Sequence, residues 1–184
     1  MINKRIMIIG GTGALGKQLT KRWEVGNEIL IFSRNEHKQE EMKRTYPDAL
    51  YRIGDVKDKE SILRSMYEFQ PSIIVNTAAL KTVWVAQDNP YESIQTNIIG
   101  HQYLIDCVRE CRHQIESLMF ISTDKACSPV NVYGMSKSIA EQMYVNFAKQ
   151  QSDIKVALCR YGNVLDSTGS LIPVFKDMIE RGVQ

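Results

Sequence analysis

The sequence predicts an α/β protein, a doubly wound fold built on a mostly parallel sheet. Three observations carry that expectation. Six short runs rich in Ile, Val, Leu and Phe recur along the chain, each nearly continuous in apolar residues, as strands buried on both faces of a sheet are. The segments between them are roughly a helix long, which is what a crossover between parallel strands requires. A glycine-rich stretch follows directly on the first run.

RIMII (5–9) is the first strand, and GGTGALGKQL (10–19) follows it with Gly10, Gly13 and Gly16 spaced Gly-x-x-Gly-x-x-Gly. A tight turn, a close backbone approach to a pyrophosphate, and tight packing of helix on strand each exclude a Cβ, while the helix N-terminus offers free N–H groups to the phosphates. Between a buried strand and an amphipathic helix, the loop predicts a Rossmann-type dinucleotide site, with Thr12, Ala14 and Leu15 beside the phosphates.

EILIF (28–32) is the second strand, and it ends at Ser33 and Arg34. An NAD site carries Asp or Glu there for the ribose 2′-hydroxyl. Arginine cannot accept that hydrogen bond, but its fork of donors and fixed charge match a 2′-phosphate, to which Ser33 adds a donor. NADP is the cofactor expected; the alternative is a solvated Arg34 with Glu36 holding the ribose of NAD. Ser33 with Glu36 also reads as a capping box for a helix at 35–45.

ALYRI (49–53) is the third strand, and in the following GDV the residues Asp55 and Val56 either flank an adenine ring or Asp55 caps a helix. SIIVN (72–76) is the fourth. Ala78 and Ala79 after it are small enough for backbone that runs beside a cofactor, or for a tight turn. Asn89, Pro90 and Glu92 join an N-cap residue, a proline at the first helical position and an acid in the first turn, opening a helix to about residue 113. SLMFIS (117–122) and KVALCR (155–160) flank a helix at 131–150, and LIPVFKDMIERG (171–182) reads as a last helix closed by Gly182.

At 184 residues, 43% hydrophobic and 24% charged, the chain suffices for one domain, an NADP-binding unit over 1–184 in which 170–184 begin the substrate side. Its net charge of +2 comes from 23 basic and 21 acidic residues without a like-charge block, which suggests neither nucleic acid nor a membrane surface as partner. MINKRIMII is too short for a signal peptide and no apolar run spans a bilayer, so a cytoplasmic location is expected. Cys107, Cys111 and His113 are the one cluster near ligand spacing, but a stripe of buried thiols explains them, and no metal is expected. Oligomeric state is not legible, though the long helices at 90–113 and 131–150 could form the bundle of a homo-oligomer.

STDKACSPVNVYGMSK (122–137) carries the chemistry. Tyr133 and Lys137 are four apart at the start of a helix and share a face. A lysine ammonium beside a phenol favours phenolate, drawing a pKa of about 10 toward use as a base. With the glycine loop upstream, the pair points to hydride transfer on a secondary alcohol, since hydroxyl proton loss must accompany hydride loss.

The loop, the Tyr133/Lys137 pair and Ser122/Thr123 resemble the extended short-chain dehydrogenase/reductases. STDKA (122–126), AALK (78–81), RYGNV (160–164) and GSLIP (169–173) are similar to the UDP-N-acetylglucosamine 4,6-dehydratases of bacterial surface-sugar biosynthesis, over nearly the whole chain. STDKA discriminates most, because the dTDP-glucose dehydratases place Asp-Glu where this chain has Asp124 and Lys125. The resemblance implies a UDP-sugar substrate, with Tyr133 as base for the 4-hydroxyl, Lys125 as base at carbon 5, Asp124 as acid for the departing 6-hydroxyl, and inversion at carbon 5 within Lys125's reach. It implies Thr123 and Lys137 in the catalytic group, and Lys81 and Asn163 as substrate contacts. Asn97, Arg160 and Tyr161 match family positions too; for Asn97 and Arg160, tying a helix or strand end to its neighbours is the alternative.

Three features depart from the family pattern. Thr82, Val83 and Trp84 replace the usual His-Val-Pro after AALK. Asp166, Ser167, Thr168, Gly169 and Ser170 replace Gly-Ser-Arg-Gly-Ser. Members continue into a smaller domain over the sugar nucleotide, so the resemblance implies a chain that is the first part of a longer enzyme, with the substrate domain largely missing and apolar surface uncovered around Leu171, Ile172, Val174 and Phe175. A sugar-nucleotide epimerase or ketoreductase of the same fold, or a non-catalytic NADP-binding module, are the competing expectations.

Overall fold

The computed structural model describes residues 1–164 and 171–182. Along the chain run β1 (Arg5–Ile9), α1 (Ala14–Trp23), β2 (Glu28–Ser33), α2 (Glu36–Thr45), β3 (Leu50–Ile53), α3 (Lys59–Phe69), β4 (Ile73–Asn76), α4 (Val83–Asp88) and α5 (Pro90–Ile94). A π-helical turn (Gln95–Ile99) leads into α6 (Gly100–Glu110), followed by β5 (Ser117–Thr123), a 3-10 turn (Asp124–Ala126), α7 (Val132–Gln150), β6 (Lys155–Tyr161) and α8 (Leu171–Glu180). All neighbouring strands pair in parallel, in the order β3-β2-β1-β4-β5-β6. The chain therefore winds outward from β1 in both directions, and the crevice lies where it reverses, beyond the carboxyl ends of β1 and β4.

The period of two along the central strands divides the core. Ile6, Ile8, Ile29 and Ile31 face Met42 of α2 with Leu19 and Trp23 of α1 beside them, while Met7, Ile9, Leu30, Phe32, Ile74, Leu118 and Phe120 face α3, α6 and α7. Each apolar run of β1 and β2 is thus covered on both sides, as expected. The expectation fails at the edges. In β3, Leu50 and Ile53 are exposed, and in β6 so are Leu158 and Tyr161. Among the described residues each of these strands has one neighbour, so a continuous apolar run there is not matched by cover on both faces.

Two capping expectations are corrected. Asn35, not Ser33, caps α2, its side chain accepting from the Lys38 N–H; Ser33 is the last residue of β2 and still extended. Asp58, not Asp55, caps α3. Pro90 does stand at the first helical position, but Asn89 makes no side-chain cap and Glu92 reaches across to Lys57 at 2.7 Å. The helix expected to about residue 113 is interrupted by the π turn and ends as an α-helix at Glu110.

Candidate functional site

A cavity of about 970 Å³ opens along the carboxyl ends of β1, β2, β4 and β5. Gly10, Thr12, Gly13, Ala14, Leu15 and Gly16 form one wall. Gly10 has φ +75, and a Cβ there would lie 2.8 Å from the Ala78 nitrogen, so β1 and the turn after β4 approach as closely as only glycine permits. A Cβ at Gly16 would collide with the Gly11 carbonyl. Gly13 stands at the N-cap of α1 without a side chain to satisfy the first N–H groups, which leaves them for an anion. These are the features a bound pyrophosphate needs.

Ser33, Arg34, Asp55 and Val56 line the neighbouring rim. Arg34 is exposed and its Nη1 lies 3.4 Å from Asp55 Oδ2. Asp55 Oδ1 in turn accepts from the Lys57 N–H at 3.0 Å. Ser33 is buried, its hydroxyl oxygen accepting from Gln39 Nε2 at 2.9 Å. Lys38, in the first turn of α2, also lines the cavity; its spacing from Arg34, which stands outside the helix, does not single it out in the sequence.

Ala78 and Ala79 lie on the floor after β4. The turn is fixed from below: Asn76 Oδ1 accepts from the Ala78 N–H at 3.1 Å, and Asn97 grips Leu80 twice, accepting from its N–H at 2.8 Å and donating to its carbonyl at 3.0 Å. Asn97 is fully buried, so its part is to tie the helix to this turn.

Lys81, Thr123, Lys125, Tyr133, Tyr161 and Asn163 line the other end. Gly134 lets them converge, since a Cβ there would meet the Lys125 carbonyl, and α7 packs its first turn directly on the Asp124–Ala126 turn. Asp124 and Lys137 are not on the cavity wall. Asp124 Oδ1 accepts from Thr123 Oγ1 at 2.9 Å and from Lys125 Nζ at 3.1 Å, and Lys125 Nζ donates also to Asn163 Oδ1 at 3.3 Å. Lys125 first, and Thr123 after it, hold the Asp124 carboxyl below its ordinary range. Asp124 is thus a carboxylate at rest, whereas an acid must carry a proton.

Lys137 lies beneath the wall, 2% exposed, donating to the Ile121 carbonyl at 2.7 Å and standing 4.1 Å from the centre of the Phe120 ring. Burial drives it from 10.5 down to about 7, against an opposing pull from Glu141. Tyr133 is raised, first by its own burial and further by the charge of Asp124, with Thr123 pulling the other way. The expected lowering of the phenol by a lysine ammonium is therefore not present: desolvation dominates at both residues. Behind them His101 is fully buried, with Nδ1 3.3 Å from Asn76 Nδ2. In the sequence it stands far from ligand spacing, and a lone His on an apolar face carries no signal.

Asp166, Ser167, Thr168, Gly169 and Ser170 and the side chains of Leu171 and Val174 lie outside the described residues, while Phe175 is exposed. Cys107 and Cys111 are buried, and burial pushes the Cys107 thiol up to about 12. Among the described residues no helix is long and apolar enough to cross a membrane.

Residues 6–184 match the family described as "Polysaccharide biosynthesis protein". Over its whole length the chain is 40% identical to a UDP-N-acetylglucosamine 4,6-dehydratase (inverting) of Campylobacter jejuni and covers 56% of that protein. It is 36% identical over 98% of its length to a UDP-glucose 4-epimerase of Rickettsia canadensis, covering 55% of it. Among solved structures, Pen from Bacillus thuringiensis superposes with a TM-score of 0.92 at 29% identity, over 97% of this chain and 56% of the other. The chain spans about half the length of the curated relatives it matches. The resemblance carried by STDKA and AALK is borne out, and the chain belongs to the polysaccharide biosynthesis protein family.

Proposed function

We propose that the intact gene product is an NADP-dependent sugar-nucleotide 4,6-dehydratase, acting in the cytoplasm on UDP-N-acetylglucosamine or a close relative, with inversion at carbon 5, for surface glycan synthesis. The glycine cradle, the open N-terminus of α1 and two cations at the rim, Arg34 and Lys38, suit a dinucleotide carrying a 2′-phosphate. Such a cofactor supplies the acceptor for the hydride of sugar carbon 4 and its return to carbon 6.

The observation that carries the reading is the hydrogen-bonded Asp124–Lys125 pair beside the cavity that Tyr133 and Asn163 line. Tyr133 takes the proton of the 4-hydroxyl as carbon 4 becomes a ketone. Lys125, as the free amine, takes the proton of carbon 5, now acidified by the ketone. Asp124 gives its proton to the departing 6-hydroxyl, which leaves as water. As the hydride arrives at carbon 6, carbon 5 takes back one of the two protons that Tyr133 and Lys125 hold, on the opposite face for inversion, and the other restores Asp124. The sugar ends one water lighter, with no net oxidation and no net proton left on the protein. Because the ion pair holds one proton between its members, transfer of that proton across the 3.1 Å contact from Lys125 to Asp124 creates the required base and the required acid together.

Incubation with UDP-N-acetylglucosamine and mass detection of water loss tests the proposal, and with substrate deuterated at carbon 5 Lys125→Ala should abolish exchange with solvent. A 4-epimerase is the second reading, favoured by the Rickettsia relative's name. It would yield a product of unchanged mass, and it has no use for an acid and base paired for elimination.

A further inference from the structure

Three segments that bear cavity residues converge below the cavity on one buried carboxylate. Glu141 is 4% exposed and stands on α7 at the same helical face as Tyr133 and Lys137, eight residues beyond the first and four beyond the second. Its Oε1 accepts from Arg160 Nε at 2.9 Å and from the Ser122 hydroxyl, and its Oε2 from Arg160 Nη2 at 2.6 Å. Arg160 Nη1 goes on to Cys127 Sγ at 2.9 Å, the residue that closes the Asp124–Ala126 turn. Glu141, Arg160 and Ser122 do not themselves line the cavity.

The arrangement joins α7, the end of β5, the turn after it and the end of β6 by a planar, charge-assisted fork whose geometry tolerates little displacement. Among the described residues β6 pairs with β5 alone, and Leu158 and Tyr161 on it are exposed, so the fork is its main tie to α7. Three residues beyond Arg160, Asn163 Oδ1 accepts from Lys125 Nζ, so the height at which the strand ends sets where the amine of Lys125 points.

We propose that Arg160, gripped by Glu141, is a positioning residue for the elimination step: it fixes the end of β6 so that Asn163 holds Lys125 toward carbon 5. The proposal rests on the dehydratase reading for its chemistry but not for its geometry. Tyr133 and Lys137 are carried by α7 itself, so the oxidation half-reaction is far less dependent on the fork.

The test uses the intact gene product and its Arg160→Met, Arg160→Lys and Glu141→Gln variants. In the ligand-free protein, amide hydrogen exchange at 160–163 and 124–127 should quicken at least about tenfold in Arg160→Met while 133–141 stay protected, as local release of one element predicts. With UDP-N-acetylglucosamine, solvent exchange at carbon 5 should fall about a hundredfold, the penalty of a misplaced group, while NADP affinity and the absorbance of reduced cofactor change less than about threefold. Arg160→Lys keeps the charge without the fork and should fall between, and Glu141→Gln should follow Arg160→Met. Equal losses in both half-reactions, or unchanged amide protection at 160–163, overturn the proposal. Should Arg160→Met fail to fold, Arg160→Lys and Glu141→Gln are judged by the same two criteria. A wild-type protein that turns over no UDP-sugar refutes the dehydratase reading alone, and the amide exchange then decides the clamp.

Discussion

Lys137 offers a measurement that needs neither substrate nor cofactor. Its drop from 10.5 to about 7 corresponds to roughly 5 kcal/mol of preference for the neutral amine in the folded chain. The unfolded chain keeps this lysine protonated to far higher pH, so above about pH 7 unfolding takes up a proton and stability rises with pH. Between about pH 7 and about pH 8.5 the gain should be about 1.5 kcal/mol, since the slope approaches but does not exceed about 1.4 kcal/mol per pH unit. Among the groups that face Lys137 none disturbs that window, while the buried thiols of Cys107 and Cys111, raised in the fold, oppose the rise near its upper end equally in wild type and variant. Glu141 faces Lys137 from the same helix and is held low by the Arg160 fork, and His101 faces it from α6 and is drawn well below its ordinary value by burial. Both titrate below the window, while Tyr133, also on α7, is raised above it. Urea titrations at several pH values should show the rise in wild type and its loss in Lys137→Met. The substitution also orphans the Ile121 carbonyl that Lys137 reaches at 2.7 Å, but that penalty is independent of pH and shifts the whole profile. Parallel profiles for the two proteins would refute a desolvated lysine.

Gly16→Ala drives a Cβ into the Gly11 carbonyl; backbone must move, so a loss of about 1–3 kcal/mol is expected, and a thermal melt with NADP should lack the upward shift expected of wild type. Arg34→Asp should weaken NADP by calorimetry far more than NAD, because repulsion replaces a charge-assisted contact, and Lys38→Glu should act in the same direction to a smaller extent. Equal losses for both cofactors would remove Arg34 from the selection of NADP.

The central strands and the phosphate loop were legible because each rests on local chemistry: apolar runs for β1 and β2, and three glycines, at two of which, Gly10 and Gly16, a Cβ collides. STDKA marked the turn after β5 through the family resemblance instead, and Thr123, Lys125 and Tyr133 line one cavity. Electrostatics were not legible. Tyr133 and Lys137 are four apart in sequence, but spacing does not reveal that Lys137 is sealed under Phe120 and the Ile121 carbonyl, and the depth of burial reverses the expected effect. Edge exposure escaped for a similar reason. KVALCR has the composition of a covered strand, and only the strand order shows that β6 has one neighbour. Arg160 was read with two alternatives, and its fork on Glu141 decides for the tie between strand and helix.

The resting charges at the catalytic end are coupled, and the coupling has a direction. Asp124 is ionised because Lys125 and Thr123 bond its carboxylate, and its negative charge is one of the causes that keep the Tyr133 proton in place. Water stabilises that state, since Lys125 and Asp124 are about one-third and one-half exposed at their side chains. Under the proposed dehydratase function, a sugar nucleotide that displaced this water would penalise the two separated charges and favour the neutral pair, Lys125 as amine and Asp124 as acid. The same proton shift would remove the negative charge that raises Tyr133, so on that proposal one desolvation event would prepare the elimination pair and ease loss of the phenolic proton. Asp124→Asn, which lacks the charge but cannot deliver the proton, separates the two effects. It should lower the pH at which the 4-hydroxyl is oxidised, read as reduced cofactor accumulating on the protein, while water loss stops. An oxidation profile unmoved by Asp124→Asn would show that the carboxylate does not act on Tyr133.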